Sequence, residues 1–271
     1  VFVPDIEAGR AYKFRVVGPG GAVQPLKADP FAFRSELRPA TASVIASPDT
    51  HAWGDAAHRA NWAKIDPRRV PISIYEVHPG SWQKPDDGGR EFYSWDELAD
   101  RLIPYVVEMG FTHIEVLPVS EYPFDGSWGY QPVGLFAPTI RHGTPQEFRA
   151  LVEAAHLKGV GVLIDWVPNH TGADHSLLKS HLDFYERDST GKAIYTGDWS
   201  DTRELNYNNP VMEDSMINAM KYWVSNTGID GFRVDVAWGV PYSFWNKCIP
   251  ALKKERDLFF LAEADDPKMH Q

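Results

Sequence analysis

From residue 72 onward the chain alternates between two hydrophobic rhythms. ISIYEVH (72–78), HIEVLPV (113–119), GVGVLIDWV (159–167), GFRVDVAW (231–238) and LFFLAEA (258–264) are short apolar runs rich in β-branched and aromatic residues, the pattern of buried strands. Between them lie segments with a helical period. In SWDELADRLIPYVVEMG, Leu98, Leu102, Val106 and Met109 recur every three or four positions, Ser94 and Glu97 form a capping-box pair, and Gly110 supplies the stop. TPQEFRALVEAAHLKG places Pro145 at the first helical position. NPVMEDSMINAMKYWVSNTG and PYSFWNKCIPALKKE complete the helices. Strand and helix alternating in this way predict a parallel α/β sheet.

Residues 1–50 follow another pattern. AYKFRVVGPGG alternates and then turns, and KADPFAF and TASVIAS are further short β-like runs, so this part reads as a piece of a small β-sandwich. Residues 51–71 carry no clear period and read as a linker, which leaves 72–271 as the α/β portion. Two of its connections are long, 119–143 and 168–209. Both follow the C-terminal ends of strands, where parallel α/β folds build their sites.

The run GFRVDVAW does not fit a purely structural role. Side chains alternate along a strand, so Phe232, Val234 and Val236 share an apolar face while Arg233 and Asp235 share the other. Charges in such a strand need a partner or a task. Asp165 falls at the C-terminal end of its own strand, and so does Glu263. Three acids at the same end of three successive strands suit a reaction in which one carboxylate attacks and another donates a proton. Close carboxylates split their pKa values, and glycoside hydrolysis with retention uses a pair about 5–5.5 Å apart.

Composition narrows the partners. Lys and Arg number 27 against 37 Asp and Glu, a net charge of −10, and no basic cluster appears, which argues against nucleic acid or an anionic membrane. No apolar run approaches a membrane span. The single cysteine, Cys248, cannot form an internal disulfide, which is compatible with a reducing, cytoplasmic setting. Aromatics make up 13% of the residues, with ten Trp. They read either as a Trp-rich core or as a sugar cleft, since flat rings match sugar C–H faces.

DWVPNH (165–170), GFRVDVAW and LAEA (261–264) resemble three of the four signature regions of the α-amylase family of glycoside hydrolases. The resemblance implies a (β/α)₈ barrel and double displacement on α-glucosidic bonds. It implies Asp235 as nucleophile and Glu263 as general acid/base. It also implies Tyr130, His170 and Arg233 around the reacting sugar, Asp165 beside Arg233 and Asn169 as a loop anchor. Trp128 reads either as a cleft residue or as loop packing, and His78 as structural. The implied partner is an α-glucan (glycogen, starch or a maltooligosaccharide), with no cofactor and no metal. A zinc reading of His170, Asp174 and His175 fails on spacing, which is not that of a helical His pair.

A narrower likeness covers residues 1–168. KADPFAF, PISIYEVHPGSW, LADRLIPYVVEMGFTHIEVLPV, EYPFDGSWGYQPVGLFAPT and HGTPQEF are similar to bacterial 1,4-α-glucan branching enzymes, which carry a β-sandwich carbohydrate-binding module before the barrel. HTGADHSLLKSHLDFYERDSTGK and GFRVDVAWGVPYSFW instead resemble hydrolytic amylase-type members, which places a junction near residue 170. The family's fourth region and strands six to eight are not found, so the expected fold is an incomplete barrel of about five strands, a fragment with little turnover alone. Branching, hydrolysis and non-catalytic glucan binding all remain open at this stage.

Overall fold

The computed structural model describes residues 4–47, 50–67 and 69–270. Five parallel strands form its central sheet: β1 (Ile74–Val77), β2 (His113–Val116), β3 (Gly161–Trp166), β4 (Gly231–Val234) and β5 (Phe259–Ala262). They lie side by side in chain order. The helices between them are α2 (Trp95–Glu108), α3 (Pro145–Leu157), α4 (Pro210–Thr227) and α5 (Tyr242–Lys253), preceded by a short α1 (Ala56–Trp62). Each helix packs on the next, α2 on α3, α3 on α4 and α4 on α5. Sequential parallel strands with helices packed in the same order are the arrangement of a partial (β/α)₈ barrel.

The alternation of side chains assigns the two faces. Ile114, Val116, Val162, Ile164, Trp166, Phe232 and Val234 join Leu102, Val106, Phe148, Met220, Trp223 and Phe244 of the helices in one apolar core. The register Glu76–Glu115–Leu163–Gly231 lines the other face, with Arg233 beside Asp165 one layer higher. Gly231 has no substitute here: a Cβ at this position would lie 1.9 Å from the Phe259 carbonyl oxygen. Only glycine lets β4 and β5 approach so closely.

Local signals set the helix ends. Both predicted N-termini carry full capping boxes, Ser94 with Glu97 and Thr144 with Glu147. Replacing Thr144 by Ala is expected to cost about 1 kcal/mol, read as a lower urea midpoint with an unchanged slope. Gly110, at φ 78°, ends α2 as expected, but Met109 does not join the apolar stripe. The helix stops at Glu108, and Met109 is its C-cap, 57% exposed, while Trp95, Leu98, Leu102, Ile103 and Val106 make the buried face.

Two stretches precede the sheet. Residues 4–47 hold one two-residue antiparallel pair, Ala11–Tyr12 with Ser43–Val44, and isolated bridges between Phe14 and Lys27 and between Val17 and Val23. Within the expected linker 51–71, α1 forms and seats on the N-terminal end of the sheet through ion pairs, which leave no hydrophobic period to read. No helix among the described residues is long and apolar enough to cross a membrane.

Candidate active site

The two long connections fold back over the C-terminal ends of the strands. Ser120–Glu121 pairs with Gly134–Pro138, and His170–Gly172 pairs with Thr202–Glu204, both antiparallel. The Gly172 amide donates to the Pro132 carbonyl and so joins the two excursions. The first is pinned by the buried Arg141, which bonds Glu121, Asp125 and the Tyr122 carbonyl and stacks over the Tyr122 ring. Arg38, from the N-terminal segment, reaches the same Asp125.

Between these loops and the strand ends lies a cavity of about 610 Å³. Tyr130, His170, Arg233, Asp235 and Glu263 all line it. Arg233 is the centre of its polar floor. One guanidinium nitrogen, Nη1, donates to Asp165 at 3.0 and 3.1 Å and to Asp235 at 3.0 Å. The other, Nη2, lies 3.0 Å from Glu263 Oε1. The Tyr130 hydroxyl donates to Asp165 at 2.6 Å, and the imidazole Nε2 of His170 faces the Tyr130 carbonyl at 2.8 Å. Three carboxylates, one guanidinium, a phenol and an imidazole thus form one connected network.

The carboxylates sit in different surroundings. The Asp165 side chain is sealed beneath the floor and outside the cavity lining, whereas Asp235 is 11% exposed and Glu263 48%. Burial pushes the Asp235 carboxyl up to about 6; Arg233 works against that shift and the nearby Glu263 adds to it. Arg233 therefore orients Asp235 without fully offsetting its desolvation. Arg233 itself loses to burial, but the charges of Asp165 and Glu263 outweigh that loss and hold it protonated. Burial likewise pushes His170 and Asp165 toward their neutral forms: His170 falls below its usual value and Asp165 rises to about 8.

The remaining predicted residues divide. Asn169 is buried, and its carbonyl accepts from the Leu205 amide, so it holds the 168–209 excursion by its backbone. Trp128 is not part of the cavity lining. It adopts φ 55°, is 57% exposed and stacks on His78 at 5.8 Å. Among the proposed zinc residues, His170 is occupied by Tyr130, His175 takes the Leu177 amide on Nδ1, and Asp174 is exposed. Val236 does not continue the face of Val234 either. β4 ends at Val234, and Val236 turns into the left-handed region at φ 45°, so its side chain lines the cavity and its amide donates to Glu263 Oε2 at 2.8 Å.

The sequence reading missed three aromatic rings on the cavity wall: Phe124, Trp199 and Trp238. Their signal was present as large apolar residues on polar loops beside the motifs. It also missed Glu115, one layer below the floor, where burial and Glu76 push the carboxyl up to about 7 against the pull of Arg233.

At the opposite end of the sheet, His58, His156 and Asp230 bring ligand-type atoms within 4.8 Å of one another. Both nitrogens of His156 already face carboxylates, Asp55 at 2.7 Å and Asp230 at 2.8 Å. Arg59 pairs with Asp55 and Arg256 with Asp230. The guanidiniums of Arg59 and Arg256 and the imidazole of His156 face the two acids, and the cluster reads as an ion network.

Comparison with known proteins agrees with this geometry. The model of the α-amylase catalytic domain matches residues 77–199 and 187–270. Over 246 residues the chain is 53% identical to the 1,4-alpha-glucan branching enzyme GlgB of Mesorhizobium japonicum, a match that covers 89% of this chain and 33% of that protein. Such a span crosses residue 170, so the branching-enzyme likeness continues past the point where the motifs turn amylase-like. The chain spans about a third of the length of the curated relatives it matches. Among solved structures it is similar to the maltogenic α-amylase AmyB of Thermotoga neapolitana, with TM-score 0.64 and 30% identity over 74% of this chain and 47% of that one. The fold also follows the catalytic module of the pneumococcal protein SpuA, with TM-score 0.76 and 20% identity over 97% of this chain and 42% of that one. By its catalytic-domain match, and with an Arg-centred carboxylate cluster at the strand ends, the chain belongs to the α-amylase family.

Proposed function

We propose that the chain carries the catalytic centre of a retaining enzyme that acts on α-1,4-glucosidic bonds of an α-glucan, and that its reaction is 1,4-α-glucan branching, as in glycogen biosynthesis. The observation that carries this reading is the single guanidinium of Arg233, which holds Asp235 on one nitrogen and Glu263 on the other. Carboxyls on adjacent arms of one fork are close neighbours. That suits retention, with a pair roughly 5–5.5 Å apart, rather than inversion at about 6.5–9.5 Å.

In the first step Asp235 attacks the anomeric carbon, the C1–O4 bond breaks, and Glu263 gives its proton to O4. In the second, a glucan 6-hydroxyl attacks C1, Glu263 takes that proton, and the ester to Asp235 breaks. Tyr130 and His170 orient the sugar, and Asp165 holds Arg233 and Tyr130 in place. Residues 4–47 are read as the edge of a β-sandwich carbohydrate-binding module. The buried, free Cys248 is in keeping with a cytoplasmic setting.

The name of the 53% identical relative supports branching, and the likeness to AmyB favours hydrolysis as the second reading. Incubation with amylose separates them. Branching lowers the iodine stain with few new reducing ends, and hydrolysis produces many. Retention on a glucan gel with no conversion would replace both with a non-catalytic binder.

The burial of Asp235 sets a pH dependence. The nucleophile must be ionised, so the acid limb of the attack step is expected near pH 6 rather than near the ordinary 3.8. The initial rate of fluoride release from α-glucosyl fluoride between pH 4 and 8 checks this, and a rate that stays flat down to pH 4.5 would contradict it.

A further inference from the structure

The turn that carries Tyr130 into the site is strained and is held from outside itself. Trp128, a large aromatic residue, sits at φ 55°, and Gly129 follows at φ 99°, where a Cβ would lie 2.2 Å from the Pro118 carbonyl oxygen. Such a backbone persists only where its surroundings impose it. Within the turn, the Trp128 amide donates to the Asp125 carbonyl at 3.0 Å and the Tyr130 amide to the Ser127 carbonyl at 2.9 Å. The short helical turn Asp125–Ser127 therefore sets where Tyr130 begins, and Tyr130 then meets Asp165 with its hydroxyl and His170 with its carbonyl. Gly126 and Ser127 line the cavity beside it.

Asp125 heads that turn, and two arginines hold Asp125. The buried Arg141 meets Oδ1, with Nε at 2.8 Å, while its Nη1 is taken by Glu121 and the Tyr122 carbonyl. Oδ2 is left to Arg38, whose Nε lies 2.6 Å from both carboxylate oxygens and whose Nη2 bonds Oδ2 and, at 2.7 Å, Glu91. The bond from Arg38 is also the largest influence on the Asp125 carboxyl and helps hold it below its ordinary value. Without Arg38 the carboxylate is free to pivot about the one oxygen that Arg141 holds. Arg38 comes from the N-terminal segment, 87 positions away. That segment is seated separately by Phe31 and Phe33, which pack on the rings of Phe136 and Tyr222.

We infer that Arg38 is a positioning residue for glycosyl transfer: through Asp125 and the turn that follows, it holds Tyr130 against Asp165, so that the N-terminal segment governs the rate at a site whose cavity it does not line. This rests on the reading of Asp235 as nucleophile and of Tyr130 as a contact of the reacting sugar. The pair of Arg38 and Asp125 is partly exposed, and such ion pairs add little to stability. A group displaced by about 1 Å at a reacting centre, by contrast, costs up to about 10²-fold in rate. The expected loss is therefore in rate and not in folding.

The test follows formation of the intermediate with 5-fluoro-α-glucosyl fluoride: the Asp235 ester forms at C1, and fluoride leaves without a proton. Intact mass gives the rate of labelling against reagent concentration. In Arg38→Ala the saturating rate is expected to fall about tenfold, while the half-saturating concentration stays within about threefold and the urea midpoint holds. The amides of residues 126–130 should exchange faster with deuterium, and those of 161–166 should not. Asp125→Asn should lose as much, and the double variant no more than either, because both changes cut one route. An unchanged saturating rate in Arg38→Ala overturns the role of Arg38 and leaves the nucleophile standing. A double variant that multiplies the two single losses overturns it as well, since Arg38 then acts by a route other than Asp125. If the unaltered chain forms no adduct, the nucleophile reading falls and takes this role with it.

Discussion

Replacement of Asp235 by Asn is expected to slow formation of the glycosyl-enzyme by at least about 10⁴-fold. The amide has the shape of the carboxylate but cannot supply the attacking oxygen. The fold should survive, because Arg233 keeps both its contacts to Asp165 and its contact to Glu263. Fluoride release from 5-fluoro-α-glucosyl fluoride gives the rate, and peptide mass mapping gives the labelled residue. Labelling of Asp235→Asn at the original rate would move the nucleophile elsewhere, with Glu263, Asp201 and Asp265, which also line the cavity, as the carboxyls to examine.

The second large effect lies at the far end of the sheet. Asp230 is fully buried and accepts from the Val162 amide and His156 at 2.8 Å and from Arg256 at 3.1 Å. Burial alone would raise its carboxyl; the hydrogen bonds of His156 and His58 and the charges of His156 and Arg256 outweigh that and hold it far below the usual range. Asp230→Ala would leave His156 and Arg256 in the interior without this partner, and the expected cost is about 3–5 kcal/mol, read by urea unfolding. A whole domain is stable by only about 5–15 kcal/mol, so the variant would approach unfolding. The sign with pH follows from the depressed folded value: the contribution is complete above about pH 4 and is lost as pH falls toward the folded value. A cost below about 1 kcal/mol, or a stability that does not fall in acid, would refute the role.

Sequence periodicity shows those parts of the molecule that depend on alternation. All five strands, the four helices between them and the placing of Arg233, Asp235, Asp165 and Glu263 at one end were legible, because a buried strand that carries charge has few ways to satisfy it. What alternation cannot show is where it stops. Val236 breaks the pattern because Glu263, distant in sequence, takes its amide. Trp128 reads like Trp199 and Trp238 in a composition, yet it stacks on His78 while the other two line the cavity. The helix α1 escaped notice because it is held by ion pairs and ring contacts rather than a buried apolar stripe, and contacts between residues 101 positions apart, such as His156 and Asp55, leave no local trace.

That helix also bears on where the catalytic unit begins. Asp55 is buried against His156, and His58 stacks on the same imidazole at 4.0 Å. Lifting the segment away while the barrel stays folded would strip the buried His156 imidazole of one of its two acid partners, so local opening there carries a cost of its own. Stability in proteins is partitioned into units that open together, and ties of this kind couple residues 55–59 to the start of β4 and to α3. A boundary drawn at residue 72 from the first regular strand would separate Asp55 and His58 from the His156 and Asp230 side chains they contact. The contacts of the barrel thus reach back to Asp55, at the start of a helix that contributes no strand to it.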